Sequence, residues 1–146
     1  MIAIVKANFN QEITDKLLAG CVRALDERSV PYKVFVVPGA VETVGLTRQL
    51  LDASSYRAVI VLGAVIKGDT DHYQFVCDYV THGLSQLSTI SPIPIIFGIL
   101  TTFTEEHALE RACPTRMNKG KEFAETALEM IDVYASVKYR WLRWFR

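Results

Sequence analysis

The run Ala58–Ile66, Ala-Val-Ile-Val-Leu-Gly-Ala-Val-Ile, constrains this chain more than any other segment. It is uncharged, rich in β-branched residues, and apolar throughout instead of at alternate positions. A strand of that kind is covered on both faces, as in a parallel sheet. Parallel neighbours need crossover connections, and these lay helices over the sheet.

The rest of the chain alternates accordingly. Ile2–Ala7 is a short apolar run ended by Asn8-Phe9-Asn10, after which Ile13, Leu17, Leu18, Cys21, Val22 and Leu25 recur at helical spacing. Val34–Val37 predicts a second strand stopped by Pro38-Gly39, and Val44 to Leu51 a helix before a loop at Ser54-Ser55. Lys67-Gly68-Asp69-Thr70 breaks the long third strand. Phe75, Val76, Tyr79, Val80, Leu84 and Leu87 predict the buried stripe of a third helix. Ser91-Pro92 ends that connection, and Ile93–Leu100 predicts the fourth strand. Thr104 is placed to cap a helix carrying Glu105 and Glu106 in its first turn. Cys113-Pro114 interrupts, and a last helix runs from about Asn118. The predicted fold is α/β: a three-layer flavodoxin-like domain with a four-stranded parallel sheet flanked by helices and right-handed crossovers. With no linker, repeat or low-complexity tract, residues 1–146 read as one domain.

Sixteen basic residues balance sixteen acidic ones, so nothing global points to nucleic acid or a membrane surface. The apolar runs are shorter than the roughly 20 residues that span a bilayer. Met1 leads directly into Ile-Ala-Ile-Val without a targeting segment, which predicts a cytoplasmic protein. Cys21, Cys77 and Cys113 are far apart, and His72, His82 and His107 do not cluster with them; reduced thiols are expected, not disulfides or a metal site.

The unusual residues fall after predicted strands. Phe9 follows the first, Pro38–Glu42 the second, Lys67–His72 the third, and Phe97–Thr101 closes the fourth. Open α/β sheets bind ligands at those carboxyl ends. Gly68-Asp69-Thr70 before a helix is either a plain turn or an anion cradle of backbone N–H groups. His72, in that helix's first turn beside Asp69 and Asp71, is either a solubilising residue or a proton carrier. The helix terminus favours the neutral imidazole and the carboxylates favour the charged one, a balance that suits proton transfer. Arg111, Arg116 and Lys119 are surface charges singly, but as a group they can neutralise a phosphate. Phe9 in a polar loop is a core staple or a platform for a planar heterocycle.

Together these motifs resemble those of the lumazine synthase family. Ala7-Asn8-Phe9-Asn10 is similar to its aromatic-containing loop, and Val37-Pro38-Gly39-Ala40-Val41-Glu42 to its Pro-Gly-Ala/Ser-aromatic-Glu element. Gly63-Ala64-Val65-Ile66-Lys67-Gly68-Asp69-Thr70-Asp71-His72 resembles its Gly-x-Val-Ile-Arg-Gly-x-Thr-x-His signature, which is specific on its own. Phe97-Gly98-Ile99-Leu100-Thr101, Glu110-Arg111-Ala112 and Asn118-Lys119-Gly120 follow in order.

The resemblance, covering roughly Ile2 to Val133, implies condensation of 5-amino-6-(D-ribitylamino)uracil with 3,4-dihydroxy-2-butanone 4-phosphate. It implies that Phe9 stacks on the pyrimidinedione, while Ala40, Val41, Glu42, Ala64, Val65 and Ile66 hold its edges and ribityl chain. Asp69, Thr70 and Arg111, with help from Lys119, would hold the phosphate, and His72 would relay protons. No metal or other cofactor is implied. The family's assembly implies a homo-oligomer, a pentamer or pentamer-based shell, in which Phe97 and Arg111 reach the site from the neighbouring subunit; association with riboflavin synthase is a further implied partnership.

Three positions depart from the pattern. Lys67 replaces the usual Arg and loses its bidentate fork. Val41 replaces an aromatic residue. Cys113-Pro114-Thr115-Arg116-Met117 replaces a turn containing Gly and Lys. Met1 also abuts the first strand, where relatives carry a further segment that joins the neighbour's sheet, so altered edge contacts are expected. The segment 134–146, with Lys138, Arg140, Arg143 and Arg146 among Tyr139, Trp141, Trp144 and Phe145, reads as a basic, aromatic extension of the last helix.

Overall fold

A computed structural model describes residues 1–53 and 55–142, with side chains through residue 137. The basic and aromatic side chains of the tail, and Ser54, lie outside the described residues. Among the described residues nine elements follow one another: β1 (Ile2–Ala7), α1 (Gln11–Asp26), β2 (Tyr32–Val37), α2 (Ala40–Asp52), β3 (Ala58–Ile66), α3 (His72–Ile90), β4 (Ile95–Thr102), α4 (Glu105–Ala112) and α5 (Lys119–Leu142).

The four strands are parallel in the order β2-β1-β3-β4, with Ile4 paired to both Val34 and Ile60, and Val61 to Phe97. The chain steps from β1 to β2 in one direction, then crosses back over β1 to β3 and continues to β4. Right-handed crossovers therefore put α1 on one face and α2 and α3 on the other. This is the three-layer flavodoxin-like arrangement predicted above.

Alternation along the strands divides the core in two. Ile2, Ile4, Ile60 and Leu62 face Leu17 and Leu25 of α1 and Ala124, Ala127 and Ile131 of α5. Ala3, Val5, Val59 and Val61 face Leu50 of α2 and Val80, Leu84 and Leu87 of α3. β3 lies inside the sheet, and all but its last residue are buried, which explains its uniformly apolar sequence. The outer strand β2 is covered less completely: only Val37 is buried, and Lys33 and Val36 are exposed. Lys6 is the exception in β1: its side chain is buried and its ammonium ion-pairs with the half-exposed Asp15 of α1. α1 and α5 approach closely at Gly120, where an added Cβ would stand 2.0 Å from the Leu17 carbonyl oxygen. Among the described residues no helix is long and apolar enough to cross a membrane.

The starts of three elements differ from expectation, and β4 also runs on past Leu100 to Thr102. β2 begins at Tyr32, because its rungs with β1 start at Ile2↔Tyr32. β4 begins at Ile95, because Ser91 and Ile93 bond to one another and close a turn ahead of the ladder. α2 begins at Ala40 instead of Val44, with Gly39 in an extended conformation as its N-cap. Glu42 is thereby a first-turn helical residue, not a loop residue. α3 departs in its faces. Val80, Leu84 and Leu87 are buried and Val76 partly so, but Phe75 is 72% and Tyr79 56% exposed. Those two, four residues apart, form a second apolar stripe turned away from the sheet.

Candidate active site

The strand order reverses between β1 and β3, and the segments leaving those strands part company there. Beyond Ala7 the chain stays with β2: Asn8 N–H donates to the Val37 carbonyl at 2.8 Å and Phe9 N–H to the Pro38 carbonyl at 2.9 Å. β3 continues upward on the other side. Between them opens a cavity of about 520 Å³ at the carboxyl ends of β1, β2 and β3. It is the crevice where this class of sheet binds ligands.

Three chain segments line it. After β1 come Phe9, its ring 72% exposed, and Asn10. After β2 come Gly39, Ala40, Val41 and Glu42. The third wall is the end of β3, Ala64 to Ile66, and the turn beyond it with Gly68, Thr70, His72, Tyr73 and Val76. Nine residues expected from sequence therefore meet in one place: Phe9, Ala40, Val41, Glu42, Ala64, Val65, Ile66, Thr70 and His72.

Polar supply comes largely from backbone. α1, α2 and α3 all start at the cavity, and none has a side-chain hydrogen bond at its N-cap residue, Asn10, Gly39 or Asp71. By contrast α4, which starts elsewhere, is capped by Thr104 accepting from His107 N–H at 3.2 Å. Uncapped first turns leave N–H donors and the positive end of the helix dipole directed at whatever occupies the space. At α3 the Thr70 hydroxyl takes up one of these donors, His72 N–H, at 3.4 Å. The Glu42 carboxylate lies in the first turn of α2, the favourable end for an acid, and Gly39 leaves it room: a Cβ there would be 3.1 Å from Glu42 Oε2.

His72 is the first residue of α3 and is exposed at the cavity. Beside it, burial pushes the Tyr73 phenol above its ordinary range, and hydrogen bonding with Cys77 adds to the effect. Tyr73 and Val76 were missed by sequence reading. For Val76 the available signal was its position four residues after His72, on the same face of the helix; Tyr73, at the adjacent position, had none.

Three expected site residues do not line this cavity: Asp69, Phe97 and Arg111. Phe97 is the third residue of β4, paired with Val61, so it lies well below the carboxyl end where it was expected. It is 41% exposed. Arg111 lies in the last turn of α4, which packs Ala108 and Ala112 into the core on the α1 side of the sheet; its guanidinium donates to the His107 carbonyl at 3.0 Å. The basic group expected near Arg111 is dispersed. Lys119 Nζ pairs with Glu122 Oε2 at 2.7 Å. Arg116 lines a separate shallow groove with Lys16, Glu12, Glu105, Glu106 and Cys113. Lys67 holds its ammonium 5.3 Å from the centre of the Phe103 ring.

All three cysteines are free. Burial pushes the Cys21 thiol up to about 12, so it stays an unreactive core residue. Hydrogen bonding with Thr115 lowers that of the partly buried Cys113.

The family model for 6,7-dimethyl-8-ribityllumazine synthase matches residues 1–135. Two proteins named 6,7-dimethyl-8-ribityllumazine synthase, from Coxiella burnetii strains CbuG_Q212 and RSA 493 / Nine Mile phase I, are each 44% identical to this chain over 140 residues, 94% of this chain and 93% of theirs. The protein of that name from strain Dugway 5J108-111 is 43% identical over the same span. Matches of that extent, over the strands and turns that build the cavity, make this chain a member of the 6,7-dimethyl-8-ribityllumazine synthase family.

Proposed function

We propose that this chain condenses 5-amino-6-(D-ribitylamino)uracil with 3,4-dihydroxy-2-butanone 4-phosphate to 6,7-dimethyl-8-ribityllumazine, releasing phosphate and water, the penultimate step of riboflavin biosynthesis. The observation that carries this reading is the convergence of three separate sequence motifs on one cavity at the strand-order reversal of a chain in this family.

The cavity suits the two substrates in different parts. Phe9 offers an open aromatic face to the pyrimidinedione. The backbone of Ala64, Val65 and Ile66 borders the ring, while Ala40, Val41 and Glu42 at the start of α2 receive ring edge and ribityl hydroxyls. The uncapped start of α3, with Thr70 and the N–H groups around Asp69, receives the phosphate; Asp69 contributes through its backbone, because a carboxylate turned to the phosphate would repel it.

The chemistry needs positioning and proton transfer. The 5-amino group attacks the ketone and water leaves as an imine forms. Elimination of phosphate leaves an enol that tautomerises to a new ketone, which the ribitylamino nitrogen attacks, and a second water leaves as the ring closes. His72 carries protons between these atoms, and holding both substrates in line supplies much of the remaining acceleration. No step calls for a metal or redox cofactor.

Arg111 and Phe97 complete the site from a neighbouring copy in a homopentamer. Their exclusion from their own chain's cavity supports this, as does the exposed apolar surface of Phe75, Tyr79 and Ile90 along α3. Such pentamers would be the unit of any larger shell or association with riboflavin synthase. The cytoplasm, where free thiols persist, is the compartment that suits the cysteines.

Incubating the purified protein with both substrates tests the assignment. Lumazine fluorescence should rise with one phosphate released per lumazine formed; absence of both signals from an assembled protein would overturn it.

A further inference from the structure

Asn10 stands at the junction of β1 and α1 and does something an N-cap asparagine does not ordinarily do. Its backbone is left-handed, with φ 58° and ψ 49°, a conformation that asparagine tolerates better than most residues. Its side chain makes no cap bond to its own helix. The amide instead reaches across the crevice, and Nδ2 donates to the Ala64 carbonyl at 2.8 Å.

That bond fills a particular gap. Pairing between β1 and β3 ends at Lys6↔Leu62, because beyond Ala7 the chain follows β2. Ala64 is two residues past the last rung, 3% exposed, and has β4 on one side only, through Leu100. A buried carbonyl without a partner is costly. Asn10 supplies the missing rung at the point where the two strands separate to make room for a ligand.

We propose that Asn10 is a positioning residue for the pyrimidinedione half-site. Its αL backbone aims the Phe9 platform, and its amide fixes the height of the Ala64–Ile66 edge against that platform. The gap between the two is the slot a planar ring must enter, so one side chain sets both walls. This rests on the reading that Phe9 and Ala64–Ile66 receive the pyrimidinedione, and it adds a residue that acts by holding the two against each other.

Two substitutions separate the roles. Asn10→Gly keeps the left-handed backbone accessible but removes the donor. Asn10→Asp keeps size and conformational tolerance but turns a carboxylate toward a carbonyl oxygen. The assembled wild type and both variants are compared by KM for each substrate, by thermal midpoint, and by fluorescence titration with 6,7-dimethyl-8-ribityllumazine. Asn10→Gly should raise KM for the ribitylamino-uracil and weaken lumazine about five- to tenfold, as expected for one lost hydrogen bond. KM for the butanone phosphate should stay within about twofold, since its half-site is built by α3. Asn10→Asp should be worse than Asn10→Gly on the first two measures.

A merely structural role would lower the thermal midpoint and the active fraction while leaving the ratio of the two KM values alone. An unchanged ratio, or Asn10→Asp binding lumazine as the wild type does, overturns the proposal. Should the wild type neither bind lumazine nor form it, the assigned reaction fails and this inference fails with it. An active wild type with an unmoved KM ratio overturns the role of Asn10 alone.

Discussion

Replacing Phe9 by alanine separates binding from stability more cleanly than any other change at the site. Fully burying a phenylalanine contributes about 1.5–3 kcal/mol. The Phe9 side chain is 72% exposed in the single chain, so only about a quarter of that, well under 1 kcal/mol, is at stake in folding. A chain of this size shifts by roughly 2–4 °C per kcal/mol, which limits the expected fall in thermal midpoint to about 3 °C. The ligand side is different. Removing an aromatic platform from under a stacked heterocycle costs about 1–3 kcal/mol, or roughly 5- to 150-fold in affinity. Titrating 6,7-dimethyl-8-ribityllumazine by fluorescence, beside a thermal melt and a sedimentation check of assembly, reads both quantities. Affinity within about twofold of wild type would refute the stacking assignment. A large drop in thermal midpoint would instead make Phe9 a staple between elements or subunits.

Other substitutions test the remaining parts. His72→Ala should lower kcat by about 10²–10⁴-fold with lumazine affinity nearly intact, because proton transfer and stacking use different side chains; an unchanged kcat in a correctly assembled variant contradicts the role. Arg111→Ala should weaken inorganic phosphate and raise KM for the butanone phosphate while sparing the pyrimidinedione, and Asp69→Asn should bind phosphate equally or more tightly. Separate titrations of each ligand decide this, and a larger loss on the pyrimidinedione side refutes it. Gly120→Ala puts a Cβ 2.0 Å from the Leu17 carbonyl oxygen, so α5 must move off α1. Overpacking of this kind costs about 1–3 kcal/mol, although alanine is the better helix former by about 1 kcal/mol. Chemical denaturation should show a net loss of stability, and a gain would mean the helices are free to separate.

The fold was legible because its strongest signal, Ala58–Ile66, has only one comfortable place, the inside of a parallel sheet, and the flanking periodicities then had to be crossover helices. Phe9, Ala40 to Glu42, Thr70 and His72 could be placed at the crevice for a related reason: strand ends put loop motifs together whatever the helices do, whereas Ala64, Val65 and Ile66 entered only by resemblance. Periodicity was less informative where a helix serves two surfaces. Phe75 and the ring of Tyr79 count as hydrophobic beside Val80 and Leu84, so spacing alone merges a stripe facing the sheet with one facing outward. The start of α2 was hidden because Pro38-Gly39 looks like a loop, yet an extended glycine followed by Ala40 is a sufficient N-cap. Asn10 and Tyr73 escaped notice for another reason. One acts through a bond to a residue 54 positions away, the other through a burial no local pattern reveals. Arg111 and Phe97 could be assigned only by resemblance, since no property of one chain says which of its surfaces completes another's cavity.

The central claim, that this cavity becomes an active site only against a neighbouring copy, is tested most directly by mixing two inactive proteins. His72→Ala and Arg111→Ala chains are dissociated, combined in equal amounts and reassembled, and lumazine formation is compared with each variant reassembled alone. In a head-to-tail ring, about a quarter of interfaces would join an Arg111→Ala chain's intact His72 to a His72→Ala chain's intact Arg111. The mixture should therefore recover about a quarter of wild-type activity, far above either parent. Activity no greater than the mean of the two parents, in particles shown to contain both chains, would mean that each subunit builds its site alone.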